Sequence, residues 1–272
     1  MIGPKIGSVF TSGECILQGS VSVSVHGSGI PILMVHGFAL DHRMWHHQID
    51  AFGKEYRVIA VDVPGCGNSH ASRNQSIAEM AIEIFEAVEP HFEGQAAIYM
   101  GLSMGGYIGW EMISRYRTAF QAAVMCDTRA AADMPTTAEG RRQMAKKVLE
   151  EGVESVLAPM IPRLLSDQTQ ADQPAVVELM KSMMFGVPPQ TVHDHQIAMS
   201  QRQDFQPSLA IFDLPMLLIC GTEDILTPPK EMKRMAEGLP NACYVEIETA
   251  GHMAPLEQPV IVNEHIARFL QQ

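Results

Sequence analysis

Cysteine is scarce in this sequence. Five occur in 272 residues: Cys15, Cys66, Cys126, Cys220 and Cys243. The number is odd and no pair has CxxC or metal-site spacing, which argues against a disulfide framework and against a zinc cluster. The cysteines are expected to be small, buried, reduced apolar residues. Basic residues are outnumbered, with 19 Lys and Arg against 31 Asp and Glu and a formal net charge of -12. A surface of that sign repels the phosphates of nucleic acids and anionic membranes, so neither is an expected partner. No apolar run approaches the length of a membrane-spanning helix. The opening MIGPKIGSVFTSGE has no apolar core of signal-peptide length, and the expected setting is the cytoplasm. Repeats and low-complexity segments are also missing. What remains is ordinary globular composition, 46% hydrophobic and 18% charged, in a chain long enough to bury a full core without cross-links.

The pattern that is present is an alternation. CILQG and VSVSV read as strands, and HGSG as a turn between extended segments. The apolar runs 32–36, 56–62, 95–101, 120–127, 214–221 and 243–248 read as buried strands. Between them lie helical patterns: MWHHQIDAF, IAEMAIEIFEAV (77–88), MGGYIGWEMISRY, KEMKRMAEGL and a last helix from Pro259 to Gln271. Alternation of this kind predicts a mostly parallel sheet with helices on both faces, an α/β fold. The rhythm breaks once. From 128 to 207 there is no convincing strand, only helical periodicity in RRQMAKKVLEEGVESVLAPMIPRLL and AVVELMKSMMF, with QTQADQP expected as a polar loop. The expected organisation is therefore a core domain of 1–127 and 208–272, with 128–207 inserted as a helical cap.

Ligands of open parallel sheets bind beyond the carboxyl ends of the strands. The polar residues that follow successive strands are His36, Asp62, Ser103, Asp127, Asp224 and His252. A serine, an acid and a histidine, met in that chain order, are the set that acyl transfer needs. A serine hydroxyl is a weak nucleophile that needs an adjacent base. His252 can take its proton and return it to the leaving group, and a buried carboxylate can fix the imidazole tautomer. Asp224 is the expected acid and Asp127 the alternative, Asp127 otherwise being a cap-hinge residue paired with Arg129 or another nearby base. Ser103 sits in GLSMGG, a G-x-S-x-G sequence between a strand and a helix. Such a corner holds the serine in a strained turn and needs small residues for close packing. The N–H of Met104, at a helix N-terminus, and that of Phe38 in HGFAL are the candidate oxyanion donors. Asp62 and His36 read as structural loop residues, and VHDHQ (192–196) as a solvated helix face.

MVHGFALDHRMW, DVPGCGNS, GLSMGGYIGWEM, CGTEDILTPP and AGHMAPLEQP together resemble the α/β-hydrolase superfamily, with matches over nearly the whole chain. CDTRAAADMPTTAEGRR is similar to the segment that opens the cap in small bacterial carboxylesterases and 3-oxoadipate enol-lactonase-like hydrolases. The resemblance implies an α/β-hydrolase fold, Ser103, Asp224 and His252 as nucleophile, acid and base, and Phe38 and Met104 as the oxyanion hole. It implies no metal or organic cofactor, and hydrolysis of a small ester or lactone through an acyl-enzyme by a monomer or homodimer. Enol-lactone hydrolysis, perhydrolysis and a non-catalytic ligand receptor on the same fold are the alternatives. Two departures stand out. Cys66 replaces a histidine common between the glycines of PGCGNS, and Met253 follows the histidine where carbon–carbon hydrolases often carry Trp. Trp45, Met160, Met184 and Arg202 are candidates for contact with substrate, and Arg163 and Arg202 for pairing with a substrate carboxylate.

Overall fold

The computed structural model describes residues 14–71 and 76–272; the opening stretch read for a signal peptide lies almost wholly outside them. The elements in chain order are β1 (Glu14–Gln18), β2 (Val21–His26), β3 (Pro31–Val35), α1 (His46–Phe52), β4 (Arg57–Asp62), α2 (Ile77–Val88), β5 (Ala97–Leu102), α3 (Met104–Arg115) and β6 (Phe120–Cys126). Then come α4 (Pro135–Glu151), α5 (Val153–Leu157), α6 (Ile161–Leu164), α7 (Asp167–Asp172), α8 (Pro174–Met184) and α9 (Pro189–Ser200). The chain returns to the sheet with β7 (Met216–Gly221), α10 (Pro229–Glu237), β8 (Ala242–Ile247), α11 (Ala254–Glu257) and α12 (Pro259–Leu270).

The strands form one eight-stranded sheet in the order β1-β2-β4-β3-β5-β6-β7-β8. β1, β2 and β4 pair antiparallel, and every pairing from β4 to β8 is parallel. Successive side chains of a strand point to opposite faces. Leu33, Val35, Ile59 and Val61 accordingly pack with α2 and α3 on one face. Ile32, Met34, Val58 and Ala60 pack with α1 and α12 on the other. Covering both faces lets the central strands be apolar throughout: β3, β5 and β7 are buried at every position. α2 starts where a reciprocal cap allows it. The Ser76 hydroxyl accepts from Glu79 N, and the Glu79 carboxylate accepts from Ser76 N at 2.7 Å.

Two expectations need correction here. Cys66, Cys126 and Cys220 are buried, but Cys15 and Cys243 are exposed, because β1 and β8 are the sheet's edge strands. QTQADQP is not a loop. Its first part forms α7, started by the Ser166 hydroxyl, which accepts from Thr169 N. Among the described residues no helix is long and apolar enough to cross a membrane.

Candidate active site

Ser103 lies between β5 and α3 with φ 51° and ψ −111°. A non-glycine residue in that region costs roughly 1–3 kcal/mol and is held there by its surroundings. Ser103 N donates to Cys126 O at 3.0 Å, and the Thr128 hydroxyl donates to Ser103 O at 2.7 Å. The flanking glycines are required by proximity. A Cβ on Gly101 would lie 2.7 Å from Gly105 O, and one on Gly105 would overlap the carbonyl of Val35. Strand and helix can meet at this corner only without side chains at these two positions.

His252 approaches from the loop after β8. Its Nε2 lies 2.8 Å from Ser103 Oγ, and its Nδ1 lies 2.8 Å from Asp224 Oδ2. Asp224 Oδ1 accepts from Leu226 N and Thr227 N at 2.7 and 3.0 Å, and Oδ2 also accepts from the Thr227 hydroxyl. Burial alone would raise the Asp224 carboxyl. The charge of His252, its hydrogen bond and those from Thr227 outweigh burial and lower it to about 2. The carboxylate therefore stays ionised and fixes the imidazole with Nδ1 as donor and Nε2 toward the serine. A hydroxyl bonded to such an imidazole can be deprotonated as it attacks an acyl carbon.

Glu257 fixes the histidine loop, a role the sequence did not reveal. Its Oε1 accepts from Gly251 N at 2.8 Å and Met253 N at 3.2 Å, and its Oε2 accepts from Ser166 N at 2.8 Å. His252 N itself donates to Leu164 O at 2.9 Å. The loop is thus tied at three consecutive residues, partly to the helical segment between β6 and β7. Only long-range pairing reveals this, since Ser166 and Glu257 are 91 residues apart.

The turn after β3 packs on the serine: a Cβ on Gly37 would lie 3.4 Å from the Ser103 Cβ. His36 is fully buried and shapes this turn. Its Nε2 accepts from Val63 N at 2.8 Å, so Nδ1 carries the proton donated to Gly37 O at 2.8 Å. The bond from Val63 N requires an unprotonated Nε2, and burial lowers the ring's pKa in the same sense. Among the described residues, neither the Phe38 nor the Met104 N–H has an acceptor, and Met104 is the first residue of α3, where the helix leaves its N–H groups unpaired. Asp62 accepts from His42 N and Asn68 N at 2.8 and 2.9 Å and pairs with His42 Nδ1, as a loop carboxylate does. Asp127 corrects an expectation. It pairs not with Arg129 but with Gly221 N and Ala254 N, at 2.8 and 3.3 Å.

A cavity of about 390 Å³ opens over Ser103 and His252. Of the five side chains expected to meet substrate, Met160 and Arg163 lie on its wall. Trp45 and Met184 are fully buried in the core on one face of the sheet, and Arg202 is spent elsewhere. Arg202 pairs with Asp133 at 2.7 Å, donates to Ala131 O and Met199 O, and lies 4.2 Å over the Tyr107 ring. Tyr107, Arg129 and Arg141, which sequence reasoning missed, are on the wall. The solvated reading of VHDHQ is also corrected. His195 is 1% exposed, with Nε2 donating to Pro64 O at 3.0 Å.

Among the described residues, two groups bring possible metal ligands within 4.8 Å of one another: Asp41, His42 and Asp62, and Asp127, Cys220 and Asp224. In both, the carboxylate oxygens already accept from N–H or O–H donors, which occupy the lone pairs a cation would take.

A thermophilic esterase from Thermogutta terrifontis, solved with malate bound, superposes with a TM-score of 0.90 and 32% identity, over 96% of this chain and 98% of that one. An enol-lactonase from Burkholderia xenovorans LB400 superposes with a TM-score of 0.86 at 22% identity, over 95% and 100%, a likeness of fold alone. A pimeloyl-[acyl-carrier protein] methyl ester esterase from Nitrosomonas europaea is 26% identical, over 88% of this chain and 95% of that one. The profile of the alpha/beta hydrolase fold matches residues 30–259, and with that match laid over an eight-stranded, mostly parallel sheet, the chain belongs to the alpha/beta hydrolase family.

Proposed function

We propose that the protein is a serine hydrolase that cleaves a small carboxylic ester or lactone through an acyl-enzyme. The observation that carries this reading is the unbroken relay from Ser103 Oγ through His252 to Asp224, two contacts of 2.8 Å each, at the floor of a cavity. The likeness to an esterase at 32% identity supports it, as does the methyl ester esterase among the relatives.

Ser103 Oγ attacks the acyl carbon while His252 Nε2 takes its proton. The charge that builds on the carbonyl oxygen is received by the N–H groups of Phe38 and Met104. One such donor is worth roughly 10²–10³ in rate. The imidazolium, held by Asp224, gives its proton to the departing alkoxide oxygen. Water then attacks the acyl-serine with His252 as base, releasing the acid and restoring the hydroxyl. Segment 128–207 acts as the cap. Asp133, Thr137, Arg141, Met144, Met160 and Arg163 all come from it, and all lie on the cavity wall.

The test is p-nitrophenyl acetate and butyrate hydrolysis by the parent and by Ser103→Ala. The parent should turn over, and the variant should lose roughly 10⁴-fold or more while remaining folded. A folded parent that binds small esters without turnover would instead be a receptor on a hydrolase fold.

A further inference from the structure

The protein is acidic, with a net charge of -12, but its cavity is not. Three guanidinium groups, Arg129, Arg141 and Arg163, line the wall, and Asp133 is the one carboxylate among the described lining residues. Asp133 is already committed. Its side chain is 1% exposed and sits between Arg141 Nε at 2.5 Å and Arg202 Nη1 at 2.7 Å. One negative charge thus serves two cations. Arg129 donates to Leu226 O and lies 3.3 Å from Glu231, a half-exposed partner, while its own Nε is buried with no acceptor. Arg163 has no hydrogen bond or ion pair from its side chain among the described residues. It lies on α6 beside Leu164, whose carbonyl holds the His252 backbone. The rest of the wall is largely apolar, with Met144, Met160, Leu164 and Met199.

We infer that the acyl part of the substrate carries a carboxylate, and that Arg163 is the residue that receives it. This rests on the hydrolase reading above and names its substrate class. A planar guanidinium matches a carboxylate with two parallel N–H···O bonds. Arg163 is exposed at the rim of the cavity, so the match of its two N–H groups to a carboxylate, rather than burial of the pair, carries the recognition. Arg141 and Arg202 cannot take this part without releasing Asp133. Arg129 stands second, adding positive field and an unpaired buried donor to the same cavity. A volume of about 390 Å³ suits a short acid of a few carbons and lies near the lower end for small-molecule sites.

The test compares monomethyl glutarate with methyl valerate, esters of the same chain length that differ in the terminal carboxylate, followed by acid release in a pH-stat. The parent should favour monomethyl glutarate by roughly tenfold or more in kcat/KM. Arg163→Gln should bring that ratio close to one, mainly through KM, and Arg163→Lys should keep part of it. Arg117→Gln removes the same charge at an exposed site paired with Asp213 and should leave the ratio unchanged. A parent that favours methyl valerate, or an Arg163→Gln variant that keeps the full ratio, overturns the inference and leaves the hydrolase reading standing. Failure to hydrolyse either ester, by a protein that also leaves p-nitrophenyl acetate intact, removes both.

Discussion

Two buried aspartates follow neighbouring strands, and one of them touches the imidazole. Asp224 is ionised and bonded to His252. Asp127 is fully buried at φ 45°. Burial first, and then the charge of Asp224, push its carboxyl well above the usual range. Its two oxygens accept from Gly221 N and Ala254 N and so tie the Asp224 loop to the histidine loop. The two should respond differently to substitution. Asp224→Asn should lower kcat by roughly 10⁴-fold, because the amide favours the wrong tautomer. Asp127→Asn keeps shape and an acceptor and should stay within roughly tenfold of the parent. Asp127→Ala should cost about 3 kcal/mol in urea unfolding, since two buried N–H groups lose their acceptor. Equal kinetic damage from both asparagine variants would give Asp127 a share in the chemistry.

At the scale of elements, the sheet was readable because its strands are short apolar runs ended by residues that cannot continue them. The expected runs 120–127 and 243–248 correspond to Phe120–Cys126 and Ala242–Ile247, and 77–88 is α2 without adjustment. Ser103, His252 and Asp224 were legible because each follows such a strand. The segment between β6 and β7 was less so. Periodicity from Arg141 to Leu165 looks continuous, yet Gly152 at φ 86° ends α4, and Pro159 and Pro162 open new turns. Periodicity also cannot tell a methionine facing a neighbouring helix from one facing a void, which is why Met184 and Met160 part company. Glu257 shows how these elements are joined. Gln in its place would turn a donor toward one of the three N–H groups it now satisfies. Glu257→Gln should therefore cost about 1–3 kcal/mol and speed hydrogen exchange at Gly251, Met253 and Ser166 together. Faster exchange at Ser166 alone would mean the histidine loop does not depend on this tie.

The molecule as a whole responds to acid through groups it buries. His195 joins α9 to the loop after β4 by its bond to Pro64 O, and its ring lies 6.4 Å from that of Phe38. Burial lowers it to about 4, against about 6.5 in an unfolded chain. Between those values the unfolded chain binds a proton that the native state does not, so stability rises with pH and falls on acidification. His36, lowered by burial, acts in the same direction. His42, raised by Asp62 against its burial, and Asp127 act in the opposite one. Asp62 and Asp224, both lowered to about 2 despite burial, hold their contribution until pH falls below about 4 and lose it toward 2. Subtracting a variant isolates the single histidine. His195→Gln can still donate to Pro64 O but does not titrate. Between pH 7 and pH 5 the parent should lose about 2 kcal/mol more stability than His195→Gln, read from urea midpoints at the two values. Parallel losses would mean that His195 is solvated or charged in the native protein, and that the junction beside Phe38 is not what acid loosens first.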